Sequence, residues 1–106
     1  MLDALNVWRY GSSVIKSFKD KETERIFCGR FSCKLLQEIQ RLAARKLEQI
    51  DAATVLDTLR VPPGNQLEAL KGTRRGQPSI WINDQWRVCF LWRDGDAFAV
   101  EIVDYH

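Results

Sequence analysis

The chain's only histidine is its last residue, His106, and it closes the run Asp104-Tyr105-His106. A carboxylate, a phenol and an imidazole are the side chains best suited to accept, donate or orient a proton near neutral pH. Chain ends usually fray, so this grouping behind an apolar run points to a site built on the end of a strand. Arg87 lies in another alternating run, Trp86-Arg87-Val88-Cys89-Phe90-Leu91-Trp92. A guanidinium fork matches phosphate oxygens and stabilises the extra charge that develops in phosphoryl transfer. A tyrosine stacks on a base or bonds near a phosphate, and a histidine works as acid or base. These parts suit RNA cleavage by the ribose 2′-hydroxyl on the adjacent phosphate. That reaction needs a group to deprotonate or orient the hydroxyl, a cation for the phosphorane, and an acid for the leaving 5′-oxygen. No acidic cluster for Mg²⁺ stands out, so metal-free chemistry is expected. The plain alternative is a surface Arg87 paired with Asp104 and a Tyr105 packed on the sheet edge.

Charge adds one local feature. Lys71, Arg74 and Arg75 form a knot of cations, with Arg87 nearby in sequence. The net charge is only +2, and residues 60–106 hold six basic and six acidic side chains. Charge alone therefore does not announce a nucleic-acid binder, and a solvated loop is the simpler account of the knot. Cys28, Cys33 and Cys89 are an odd set without CxxC spacing. With one histidine they predict neither a disulfide framework nor a zinc site. No metal and no small-molecule cofactor is expected.

The elements that must position these groups follow from length and periodicity. At 106 residues and 45% hydrophobic, the chain fits one modest folded domain. No apolar stretch approaches the roughly 18–20 residues that cross a bilayer, and no basic-then-apolar leader opens the chain, so the expected compartment is the cytoplasm. Residues 1–13 have no clear period and end in Gly11-Ser12-Ser13. They are expected to be an extension to a single domain at 14–106, whether an appended segment, a misplaced start or a short docking arm. Residues 14–18 read as a short strand. Asp20 caps a helix over 21–28, stopped by Gly29. The clearest element is a helix over 32–50, with Leu35, Leu36, Ile39, Leu42, Ala43, Leu47 and Ile50 on one stripe. Asp51 then caps a third helix over 52–60, with Val55, Leu56 and Leu59 inward, until Pro62-Pro63 breaks it. Strands follow over 67–70, 79–82, 86–93 and 98–105. The fold class is α+β: N-terminal helices on one face of a small, antiparallel-dominated sheet.

A three-residue loop at 94–96 would set Trp92 opposite Phe98, Phe90 opposite Val100 and Val88 opposite Ile102, an all-apolar face. The same register places Arg87 opposite Val103 and on the face of Tyr105, which lies about 7 Å further along that strand.

Four segments in this order also resemble one known family: Ile15-Lys16-Ser17-Phe18, PPGNQLEALKG over 62–72, SIWINDQWRVCFLW over 79–92 and VEIVDYH over 100–106. Together they look like the HigB branch of the RelE/ParE toxins, over residues 14–106. The resemblance implies a RelE-like fold and the toxin of a type II toxin–antitoxin pair. Such toxins enter the ribosomal A site and cut mRNA without a metal, inhibiting translation and arresting growth. It further implies a HigA-like antitoxin with a helix-turn-helix domain. By the same resemblance Arg87 stabilises the scissile phosphate, and Asp104, Tyr105 and His106 are the family's C-terminal triplet. Lys71, with Arg74 and Arg75 beside it, would bind substrate. Glu68 occupies a position that is histidine in some relatives and a carboxylate in others, which makes it a candidate base or orienting group. The choice of base between Glu68 and His106 stays open. A gyrase-inhibiting toxin of the ParE type is the alternative; it would not need the Arg/Tyr/His grouping.

Overall fold

The computed structural model describes residues 14–35, 37–70 and 76–104. Helix α1 (Lys21–Phe27) starts where its cap predicts. Asp20 is extended, and its carboxylate accepts from the Thr23 backbone N–H at 2.7 Å. Thr23 in turn accepts from the Ile102 N–H through its hydroxyl at 3.0 Å, so the capping residue ties the helix to the sheet. Gly29, at φ +81°, ends the turn in the left-handed region that glycine tolerates.

Helix α2 (Gln37–Ala52) buries Ile39, Ala43, Leu47 and Ile50, the predicted stripe. It begins five residues later than the periodicity indicates. Ser32 is fully buried outside the helix, where the Gln40 side chain replaces the backbone ladder. Gln40 accepts from the Ser32 N–H at 3.0 Å and donates to the carbonyls of Ser32 and Leu35 at 2.6 and 3.0 Å. Leu36 lies outside the described residues. The third α-helix is not formed. α2 runs through Asp51, and a 3-10 turn (Leu56–Arg60) follows, with Leu59 buried but Val55 57% exposed. Asp51 instead uses its carboxylate to accept from the Ile15 N–H at 3.0 Å, fastening the incoming chain.

The sheet has the order β1 (Glu68–Ala69), β2 (Pro78–Trp81), β3 (Trp86–Arg93), β4 (Asp96–Asp104), every pair antiparallel. Residues 14–18 add two parallel bridges to β4, Ile15 to Ala97 and Phe18 to Val100, rather than a full strand. The helices cover one sheet face, where Ile80, Val88, Phe90, Ala97 and Val100 share a core with Ile26, Ile39, Ala43, Leu47 and Ile50. This is the α+β arrangement predicted from sequence, with helices on one side of an antiparallel sheet. Among the described residues no helix is long and apolar enough to cross a membrane.

The last hairpin departs from its expected register. Asp94 and Gly95 both have positive φ, +52° and +82°, the signature of a two-residue turn of type I′. The hairpin therefore opens with Arg93 opposite Asp96, Trp92 opposite Ala97 and Leu91 opposite Phe98. A bulge then absorbs one residue at Ala99, whose φ is +52° and whose N–H donates to the Ser17 hydroxyl at 2.8 Å. Beyond it, Cys89 pairs with Glu101, Val88 with Ile102 and Arg87 with Val103, as predicted. Near the turn it is Ala97, not Phe98, that enters the core. Phe98 sits on the other face, under the Arg93 guanidinium at 5.3 Å.

Candidate active site

The residues between β2 and β3 shape the site. The Asn83 side chain accepts from the backbone N–H groups of Gln85 and Trp86 at 2.9 and 2.8 Å, an Asx turn that reverses the chain. The Ile82 N–H donates to the Trp86 carbonyl at 2.8 Å and closes the hairpin end. The reversal directs the carbonyls of Asn83 and Asp84 back toward β3. Arg87, only 7% exposed, donates to both through Nη1, each at 3.2 Å. Its guanidinium carbon stands 4.1 Å from the centre of the Trp81 ring, on the residue directly across the ladder. Arg87 is thus a permanent cation held in one orientation by backbone dipoles and an aromatic face.

The register defines which other groups share that face. Trp81, Arg87 and Val103 form one cross-strand row, and Glu68, Ser79, Cys89 and Glu101 form the next. None of them belongs to the core under the helices. Glu68 is exposed on β1. Two strand spacings across and two residues along put it about 12 Å from Arg87, Cα to Cα. The Arg87–Val103 pairing, from which a shared face for Arg87 and Tyr105 was expected, is present. Asp104 pairs with Trp86, so alternation assigns it to the opposite side of the sheet from Arg87. It is exposed and accepts from Gln85 Nε2 at 3.1 Å. Tyr105, His106, Lys71, Arg74 and Arg75 lie outside the described residues.

Two contributors escape a periodicity argument. Trp81 reads as one more apolar strand residue, yet its place between core-facing Ile80 and Ile82 assigns it to the Arg87 face. Lys46, which the sequence reading did not single out, is buried, and its ammonium donates to Asn65 Oδ1 at 2.6 Å. Asn65, fully buried, donates onward to Gln49 Oε1 at 2.9 Å and to the Leu59 carbonyl at 3.1 Å. This network fastens the short 3-10 turn Pro63–Asn65, which leads into β1 and Glu68. Burial, reinforced by the neighbouring charge of Arg45, lowers the Lys46 pKa below its usual value of 10.5.

Comparison with known proteins identifies the family. The family model described as the RelE-like toxin of the type II toxin–antitoxin system HigB matches residues 16–106. Toxin HigB-1 of Vibrio cholerae is 42% identical over 81 residues, covering 76% of this chain and 85% of that protein. Endoribonuclease HigB of Proteus vulgaris is 37% identical over 94 residues, covering 88% of this chain and all of that protein. An α+β fold with this sheet, the Asn83–Trp86–Arg87 turn and these matches together carry one conclusion: the chain belongs to the RelE-like HigB toxins of type II toxin–antitoxin systems.

Proposed function

We propose that this toxin is an endoribonuclease that cuts mRNA in the ribosomal A site. The observation that carries the reading is the immobilised guanidinium of Arg87 on the sheet face that the helices leave uncovered. A cation fixed before substrate arrives stabilises developing charge without reorganising. The name of the Proteus relative, an endoribonuclease, supports the same activity and does not favour gyrase inhibition.

In this reading the ribose 2′-oxygen attacks the adjacent phosphorus as its proton passes to Glu68 or His106. A 2′-oxygen–phosphorus bond forms and the bond to the 5′-oxygen breaks. Arg87 balances the phosphorane charge, Tyr105 orients the phosphate, and His106 supplies the proton that leaves with the 5′-oxygen. The products are a cyclic 2′,3′-phosphate and a 5′-hydroxyl. Lys71, Arg74 and Arg75 bind flanking phosphates. Asp104, expected among the substrate-binding residues, lies on the other side of the sheet from Arg87 and instead anchors Gln85 at the strand end.

The antitoxin that a type II toxin requires is proposed to be HigA-like, with a helix-turn-helix domain, and the site of action is the cytoplasm, where ribosomes translate. The experiment is to map mRNA 5′ ends after induction of wild type and Arg87→Ala. Wild type is expected to produce new ends at ribosome-occupied codons and to arrest growth. Arg87→Ala is expected to lose both while still folding and binding its antitoxin. Intact mRNA with wild type, or an Arg87→Ala protein that still cuts, refutes the reading.

A further inference from the structure

Trp81 lies between Ile80 and Ile82, both buried in the core under the helices. The pleat therefore turns its side chain to the opposite face, where Arg87 is its cross-strand partner. The 4.1 Å separation of guanidinium and ring centre is well within the range of cation–π attraction. Arginine is the cation that stacks flat on an aromatic face, and tryptophan is the ring that attracts it most. The carbonyls of Asn83 and Asp84 hold Nη1 on one edge, while the indole constrains the guanidinium from its face. Together they restrict a long side chain that would otherwise sample many rotamers.

Trp81 shares one feature with Trp86 on the other sheet face. The indole Nε1 is buried with no hydrogen-bond partner among the described residues. A buried indole N–H normally finds one, and a phenylalanine or leucine here would carry no such penalty.

We propose that Trp81 is a positioning residue that clamps the Arg87 guanidinium in its phosphate-facing orientation. The inference rests on the RNA-cleaving reading of the same site. Because a pre-set cation acts on charge that develops during the reaction, its loss falls on the chemical step rather than on substrate binding.

The test uses the full chain with programmed ribosomes. Trp81→Leu is expected to lower kcat at least about 10-fold with KM unchanged, while Trp81→Phe, which keeps a ring, stays within about threefold of wild type. In an Arg87→Lys background the Trp81→Leu loss is expected to shrink, since the two residues act as one unit. Unfolding midpoints and antitoxin binding verify that each variant is folded, and Trp81→Met replaces Trp81→Leu if the latter does not fold. A Trp81→Leu protein with normal kcat overturns the proposal. So does a loss confined to KM, or an equal loss in the Arg87→Lys background, either of which would mean the indole touches RNA itself. If wild type fails to cut, the RNA-cleaving reading has failed. NMR of the Arg87 side chain then judges the clamp separately: slow guanidinium rotation in wild type that becomes fast in Trp81→Leu supports it, and equal rotation in both overturns it.

Discussion

Arg87 and Lys46 are both buried cations, and they show how differently one charge type is handled. A guanidinium keeps its proton in proteins, and the fold surrounds that of Arg87 with carbonyl oxygens and an indole. Lys46 can, and burial pushes its pKa below 10.5, with Arg45 adding to the effect. Between the folded and unfolded pKa values the unfolded chain holds more protons, so stability rises with pH through that window. The charged form therefore costs stability at neutral pH, and the cost is relieved as pH climbs toward 10.5. Lys46→Met removes the titrating group. The difference in unfolding free energy, wild type minus Lys46→Met, is expected to shift in favour of wild type between pH 7 and 10.5 in urea titrations. A difference that stays flat or falls over that interval contradicts the burial argument.

At the scale of elements, the terminal hairpin shows two local choices that compensate. The Asp94-Gly95 turn shifts the register by one residue from the pairing that a three-residue loop sets, and the bulge at Ala99 shifts it back before Arg87. Without the bulge, β4 would present the opposite alternation beside Arg87. Ala99 holds φ +52° without being glycine, a conformation that costs an L-residue roughly 1–2 kcal/mol. Glycine relieves that strain but adds freedom to the unfolded chain, worth about 0.4–1 kcal/mol. Ala99→Gly is therefore expected to stabilise the protein by about 0.5 kcal/mol, read from the denaturant midpoint; a destabilised variant would show that the Ala99 methyl makes contacts worth more than the strain. Other element boundaries moved because a side chain was taken up by another partner. The Gln40 amide takes over the chain at Ser32 and delays α2, while Asp51 caps residue 15 rather than a third helix.

The whole molecule carries a net charge of +2, small for a protein that binds RNA, so the cations matter by location more than by number. Replacing Lys71, Arg74 and Arg75 with alanine takes the net charge from +2 to −1 by removing three cations. For binding to single-stranded RNA, each phosphate contact contributes about 0.7 to the slope of log affinity against log salt. The triple variant is expected to lower that slope by about 2 and to weaken binding while leaving the unfolding midpoint within a few degrees. An unchanged slope would remove these residues from the RNA contact. Arg87→Ala is expected to behave differently, losing cleavage while lowering the slope by no more than about 0.7, the share of one phosphate contact.

The sequence by itself determined the fold class, the apolar stripe of α2, the cap at Asp20 and the antiparallel meander, since each rests on periodicity or on one residue's hydrogen-bonding habit; the pairing of Arg87 with Val103 was expected from a three-residue loop, but it is the bulge at Ala99 that produces it. The family also was legible there, because four segments, among them the Asn83–Trp86–Arg87 strand and the terminal Asp104-Tyr105-His106, resemble the HigB branch in order and spacing. Tertiary structure decided what depends on partners distant in the chain. It brought Lys46 to Asn65 across 19 positions, let Ser17 support the bulge at Ala99 from 82 positions away, and laid Trp81 over Arg87. It also put Asp104 on the opposite face from Arg87. Sequence spacing carries local geometry only; which side chains share a pocket is settled when strands pair and twist and most buried polar groups find partners far along the chain.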